Sequence, residues 1–215
     1  DSSGSTGAAG ENKFDARSMY DFEALVKLVD LFRVKLSDIP QILWIKNASS
    51  SNSTLAFAWS DVYLSKEATL SGTMDLYRQR WGYIDDGKDT IGKMREHVTA
   101  HIKNFAALSV PYDAVTGNLN TSANPRHSSD LGMSFVDPEV VVSGSWDGKR
   151  VDWQLGTGGD FVLDGGPGLP RLSAVLAEEL CISNATINNR HDLLFSEGVH
   201  EYHLVGVDVS DAIEE

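Results

Sequence analysis

Residues 47–72 read NASSSNSTLAFAWSDVYLSKEATLSG, and the order of residue types in this stretch sets the architecture to expect. A crowded Ser/Asn turn runs into the small-residue apolar stretch TLAFAWS, which reads as a helix; the apolar run VYLS after it reads as a strand, and Gly72 closes the next turn. Upstream, Pro40 precedes QILWIK, a short apolar run with the character of a buried strand. Before that, Phe22, Leu25, Val26, Val29 and Phe32 recur at helical spacing between Met19 and Lys35. Helix, strand, turn, helix and strand in this order predict an α/β fold with parallel strands, whose ligands sit at strand C-terminal ends. Ser51 follows such an end. A hydroxyl at a helix entrance lies among backbone N–H groups without intrahelical partners, and those amides can hold the oxygen of a carbonyl under attack. Four hydroxyls share the turn, Ser49, Ser50, Ser51 and Ser53, and the local pattern does not choose among them.

Further along, MDLYRQRWGYIDDGKDT (74–90) has no sustained period and reads as a surface excursion. Met94, Val98, Ile102 and Phe105 define one face of a helix running from near Gly92 to before Pro111, with Lys93 in its first turn. Tyr112 to Asp130 reads as one long loop rich in Asn, Ser, Thr and Gly. PEVVVSGSWDGKRVDWQLG (138–156) predicts a hairpin about Asp147-Gly148. GGDFVLDGGPGLPR (158–171) then leads into a helix LSAVLAEEL (172–180), and the acidic end DVSDAIEE (208–215) reads as solvated.

With 41% hydrophobic and 23% charged residues, the 215-residue chain reads as one large folded domain or one domain with an appendage, and residues 1–215 are taken as a single domain. Its balance of 18 basic against 31 acidic residues, 18 − 31 = −13, repels phosphate backbones, so no nucleic-acid partner is expected. Cys181, the sole cysteine, cannot form an internal disulfide and reads as a packed helix position. No stretch approaches the roughly 20 apolar residues of a membrane span, and the first residues lack a signal-peptide profile. His97 and His101 stand at i, i+4, with His200 and His203 as possible further ligands. Positions 98–100 read Val-Thr-Ala, without the glutamate of H-E-x-x-H, and helix histidines are the better account than a metal site. Asp61 reads as a capping or turn residue, and Trp81, Trp146 and Trp153 as packing residues that could also line a peptide groove.

The stretch ASSSNSTLAFAWSDVYLSKEATLSG resembles a segment of Clp-protease/crotonase-fold serine peptidases written A-S-G-G-Y-x-I-A-x-A-A-D-x-I-x-x-x-P-x-x-x-x-G. The signal peptide peptidase A group and the NfeD-type membrane-associated proteases are the most similar members. Asp61 takes the pattern's aspartate, and counting ten residues back, 61 − 10 = 51, the resemblance puts the nucleophile on Ser51. The opening DSSGS is similar to the family's D-S-P-G-G turn, which implies the backbone N–H groups of Ser5 and Asn52 as oxyanion donors. NfeD-type relatives pair the serine with a lysine about forty residues later at the start of an amphipathic helix. GKMREHVTAHIKNFAAL is similar to that helix, and 93 − 51 = 42 implies Lys93 as the base. Such a lysine must be neutral to accept a proton, which calls for burial away from carboxylates. LSAVLAEELCISNATINNRHDLL resembles the late family segment L-T-A-x-E-A-x-x-L-G-I-A. Departures are Ser3 for proline, Ser5 for the second glycine, and SSNS where Ser-Gly-Gly is usual; losing glycine restricts positive φ and crowds the oxyanion site.

The resemblance implies a ClpP/crotonase-like spiral fold lacking its N-terminal strand and helix, with a late β-hairpin, and so a chain that is part of a longer one. It implies a serine endopeptidase with a Ser-Lys dyad that cleaves hydrophobic or signal- and membrane-derived peptides, without metal or organic cofactor. A homo-oligomer is implied too, membrane-associated or extracytoplasmic, with any membrane attachment through segments outside this chain. The alternative is a catalytically inactive scaffold or peptide-binding module of the same fold. An acyl-CoA enzyme of the crotonase branch would need a basic cluster for the CoA phosphates, and the sequence offers none.

Overall fold

The computed structural model describes residues 17–46, 50–72, 88–163 and 169–201, with the backbone alone at 17–21, 50–51, 88–91 and 94. Helix α1, Arg17–Val29, turns Phe22, Leu25 and Val29 into the core. It continues as a π-helical segment, Asp30–Lys35, closed by a bond from Leu36 N to Leu31 O at 3.0 Å. Arg33 stands four residues after Val29 and eleven after Phe22, at the centre of the inward face at helical spacing, whereas Phe32 falls at its edge. The expectation that Phe32 continues the buried face is corrected here: Phe32 is 36% exposed and Arg33 is 1% exposed.

Strand β1, Leu43–Ile45, leads to a 3₁₀ helix, Ser50–Ala58, and then to β2, Val62–Leu64. β1 and β2 run parallel from Leu43↔Val62 to Ile45↔Leu64. The helix between them is 3₁₀, and Ala56, Phe57 and Ala58 are fully buried in it. Strand β3, Thr69–Ser71, follows. Helix α2, Lys88–Leu108, packs Val98, Ile102 and Phe105 inward against the 3₁₀ helix and against α3, Ser129–Ser134. The long loop before α3 is organised by the Asp113 carboxylate, which accepts from Val115 N and Thr116 N, and Ser128 caps α3 by accepting from Asp130 N.

Strands β4, Val142–Trp146, and β5, Val151–Leu155, form the expected hairpin, with Gly148 at φ +96 in its turn. Strand β6, Phe161–Leu163, which the sequence pattern did not announce, pairs with the other edge of β4. Strand β7, Arg171–Ser173, pairs antiparallel with β3 and runs into α4, Ala174–Glu179, which Ser173 caps. The short β8, Ala185–Thr186, joins β2 in parallel, and α5 is Arg190–Ser196. Cys181 lies past the end of α4 at φ +57, half-buried, rather than in a packed helix position: a left-handed residue there ends the helix. The fold is mixed α/β, with three small sheets among the described residues, β1-β2-β8 parallel and the other two antiparallel. Among the described residues no helix is long and apolar enough to cross a membrane.

Candidate functional site

Short polar side chains compete with a sheet for backbone partners, and after β1 the described chain resumes in the 3₁₀ helix at Ser50. Ser51 lies in the first turn of that helix, after β1. Among the four candidate hydroxyls the structure sets one aside. Ser53 is fully buried, and its Oγ accepts from Ser71 N at 3.0 Å, tying the helix to β3. Asn52 is exposed, while Ser49 and the other expected oxyanion donor, Ser5, lie outside the described residues. Lys93, near the start of α2, has an exposed side chain, where a neutral base was expected to be buried.

The histidines divide. His97 and His101 stand with ring centroids 4.6 Å apart, and His101 meets the Phe22 ring edge-on; burial, with the neighbouring His97, holds its pKa below the usual value. His200 packs on Phe195, and His203 lies outside the described residues. Among the described residues no group of three or more His, Cys, Asp or Glu side chains is placed to hold a metal ion. Of the tryptophans, Trp146 is exposed, Trp153 packs edge-on to Phe161, and Trp81 lies outside the described residues.

Asp61 has more partners than its reading as a turn residue suggested. Its carboxylate accepts from Ser60 Oγ at 2.8 Å and Asn184 Nδ2 at 3.4 Å, and it faces two arginines that sequence reasoning missed. Arg33 donates to Leu108 O at 2.7 Å, Val110 O at 3.1 Å and the Tyr112 hydroxyl at 3.1 Å. Its guanidinium carbon lies 5.6 Å from the Trp59 ring centre and 5.3 Å from that of Tyr112. Burial lowers its pKa, and Tyr112 and Asp61 oppose the shift. Arg126 donates to Ser60 O at 2.9 Å and Cys181 O at 3.4 Å, again with its pKa lowered by burial and supported by Asp61.

Next to it His127 is fully buried, its ring edge-on to Phe57. Burial and the charge of Arg126 push His127 down to about 3, so the ring is neutral at neutral pH and Nε2–H donates to Trp59 O at 3.0 Å. These groups secure the end of the 3₁₀ helix, whereas Ser51 lies at its start. The sequence signal for them is weak, because Arg33 sits among apolar residues and Arg126-His127 within a polar loop.

No protein-family model matches the chain, and neither curated proteins nor solved structures yield a match.

Proposed function

We propose that the chain is a serine endopeptidase domain of the ClpP/crotonase-like spiral class. The observation that carries this reading is the position of Ser51, at the entrance of a helix that leaves one parallel strand and returns to its parallel neighbour. Two details support the fold assignment. Cys181 stands where the late family segment has its glycine, and it adopts the left-handed conformation that favours glycine, at φ +57. Gly72 stands at the last glycine of the nucleophile segment, where a Cβ would come within 2.1 Å of Leu169 Cβ.

In this scheme Ser51 Oγ bonds to the scissile carbonyl carbon while Lys93 Nζ takes its proton, and the amides of Ser5 and Asn52 hold the oxyanion. Collapse breaks the C–N bond, and Lys93 returns the proton to the leaving amine. Water then attacks the acyl-enzyme by the same route in reverse. Substrates are extended hydrophobic peptides, including signal- or membrane-derived ones, and no metal or organic cofactor takes part. Because Lys93 is exposed in the single chain, a second copy or the bound peptide must cover it to favour the neutral amine, which makes the active form a homo-oligomer or a closed complex.

A second reading, an inactive scaffold or peptide-binding module, is favoured by that same exposure and by Asn52 and Ser53 standing in place of the two glycines. A fluorophosphonate probe separates the two. An enzyme is labelled at Ser51, located by peptide mass spectrometry, and loses the label in Ser51→Ala and Lys93→Ala. A protein that takes no label at Ser51 at any concentration is the scaffold.

A further inference from the structure

A cleft of about 510 Å³ opens where the 3₁₀ helix ends, between Asp61, Arg126 of the long loop, Lys149 and Trp153 of the hairpin, and the turn after α4. Lys93 is not among its described lining residues, and the cleft opens at the end of the 3₁₀ helix, whereas Ser51 lies in the first turn. The cleft's volume falls in the range of small-molecule sites.

Five of its lining residues carry charge, and most of that charge is already matched. Arg150 Nε pairs with Asp152 at 3.3 Å and Asp147 at 3.6 Å. Glu178 accepts from Thr186 N at 2.8 Å. Asp61 has two side-chain donors and faces Arg33 as well as Arg126. Two cations keep spare capacity. Arg126 uses two of its five N–H donors on carbonyl oxygens. The Lys149 ammonium makes no ion pair within 4 Å among the described residues, and Asp147, which also pairs with Arg150, is the carboxylate that it faces at longer range.

An independent observation points the same way. Ser183, 2% exposed, lines the cleft, and its Oγ has no hydrogen-bond partner. A buried hydroxyl is normally hydrogen-bonded, and one left over at a cleft wall has room for a partner from the cleft, a water or a ligand oxygen. The rest of the wall is apolar, with Val151, Trp153 and Leu180.

From this arrangement we infer that the cleft binds a small organic anion, a carboxylate or phosphate monoester on an aromatic or apolar body. The anion sits on Arg126 and Lys149, Ser183 Oγ donates to one of its oxygens, and the body lies against Trp153.

The test follows the Trp153 indole N–H by NMR in the whole chain, assigned with Trp153→Phe, during titration with phenyl phosphate, benzoate and uncharged benzyl alcohol. The expected result is a saturable shift with one or both anions and none with benzyl alcohol. Lys149→Gln should weaken anion binding about fivefold. Ser183→Ala should weaken it several-fold while the thermal midpoint holds or rises, since it removes an unsatisfied buried group. Binding of one anion and not the other supports the site and identifies the head group. Absence of a saturable shift with either anion, an equal shift with benzyl alcohol, or unchanged affinity in both variants overturns the proposal.

Discussion

Replacing Arg33 by methionine keeps most of the side chain's length and removes its charge, which isolates what a buried guanidinium does for this fold. The substitution deletes three hydrogen bonds, to Leu108 O, Val110 O and the Tyr112 hydroxyl, at 2.7, 3.1 and 3.1 Å. Hydrogen bonds of this charge-assisted kind contribute about 1.5–3 kcal/mol each, a gross loss of about 4.5–9 kcal/mol. Against this stands the relief of burying a cation, several kcal/mol, and Arg33 Nε is itself buried without a partner. Removing one member of a buried ionic group typically costs about 3–5 kcal/mol. The lower part of that range is expected, about 3–4 kcal/mol, because Asp61 keeps Arg126 as a second cation. Urea unfolding followed by tryptophan fluorescence gives the number, provided the slope with denaturant is unchanged. Adding Asp61→Asn to Arg33→Met should cost less than the sum of the two single changes, since both groups belong to one network. A loss below about 1 kcal/mol for Arg33→Met would refute the reasoning, because the cation would then be replaceable by any apolar group that fills the space.

Other outcomes follow from the same geometry. His127 titrates at about 3 in the folded chain against 6.5 unfolded, so its contribution is complete above pH 6.5 and is lost as pH falls toward 3, where only the unfolded chain takes the proton. At pH 5 the loss is about 2 kcal/mol; His127→Gln should flatten the thermal midpoint between pH 6.5 and 4, and parallel profiles for the two proteins would sink the idea. Gly72→Ala should cost about 1–3 kcal/mol in thermal or urea unfolding, and Leu169→Ala should not rescue it, since the 2.1 Å contact is with Leu169 Cβ, which alanine retains. Ser51→Ala and Lys93→Ala should each remove nearly all peptide hydrolysis, with the double variant scarcely worse, as for groups that act in one step. His97→Ala should stay within a few fold of the parent in the same assay; its loss of activity with Lys93→Ala active would rule out the dyad.

What the sequence made legible was whatever depends on local order. The parallel pair β1 and β2 with a helix between them follows from short apolar runs separated by a polar turn, and the β4–β5 hairpin from Asp147-Gly148. Where the expectation failed, hydrophobic pattern was a poor guide. Position 33 lies on the buried face at ordinary helical spacing from Val29, and hydrophobic periodicity passes over it for the edge position Phe32 because arginine is counted as polar wherever it stands. Strand β6 is three residues long and α3 six, too short to establish a period. Cys181 resembled a helix residue because apolar residues flank it on both sides, yet the chain turns through a left-handed conformation there.

The polar network about Asp61 was illegible for a different reason. Arg33 finds its acceptors 75 and 77 residues away, and Arg126 reaches Ser60 across 66, so nothing near any of these residues signals that its burial is compensated. That network also bears on the proposed dyad. Arg33 holds Leu108 O, the last residue of α2, where a cation complements the negative end of the helix dipole. Lys93 stands 108 − 93 = 15 residues earlier in the same helix, about 22 Å away along its axis at 1.5 Å per residue. With Val98, Ile102 and Phe105 buried in between, α2 cannot roll to submerge Lys93 without exposing its apolar face. Burial of the base must therefore come from something laid over that end of α2, so the proposed activity is tied to assembly or to a substrate that covers the site. The exposed lysine is thus compatible with the dyad only in a closed complex, and the probe that labels Ser51 distinguishes such a complex from a fold that binds without cutting.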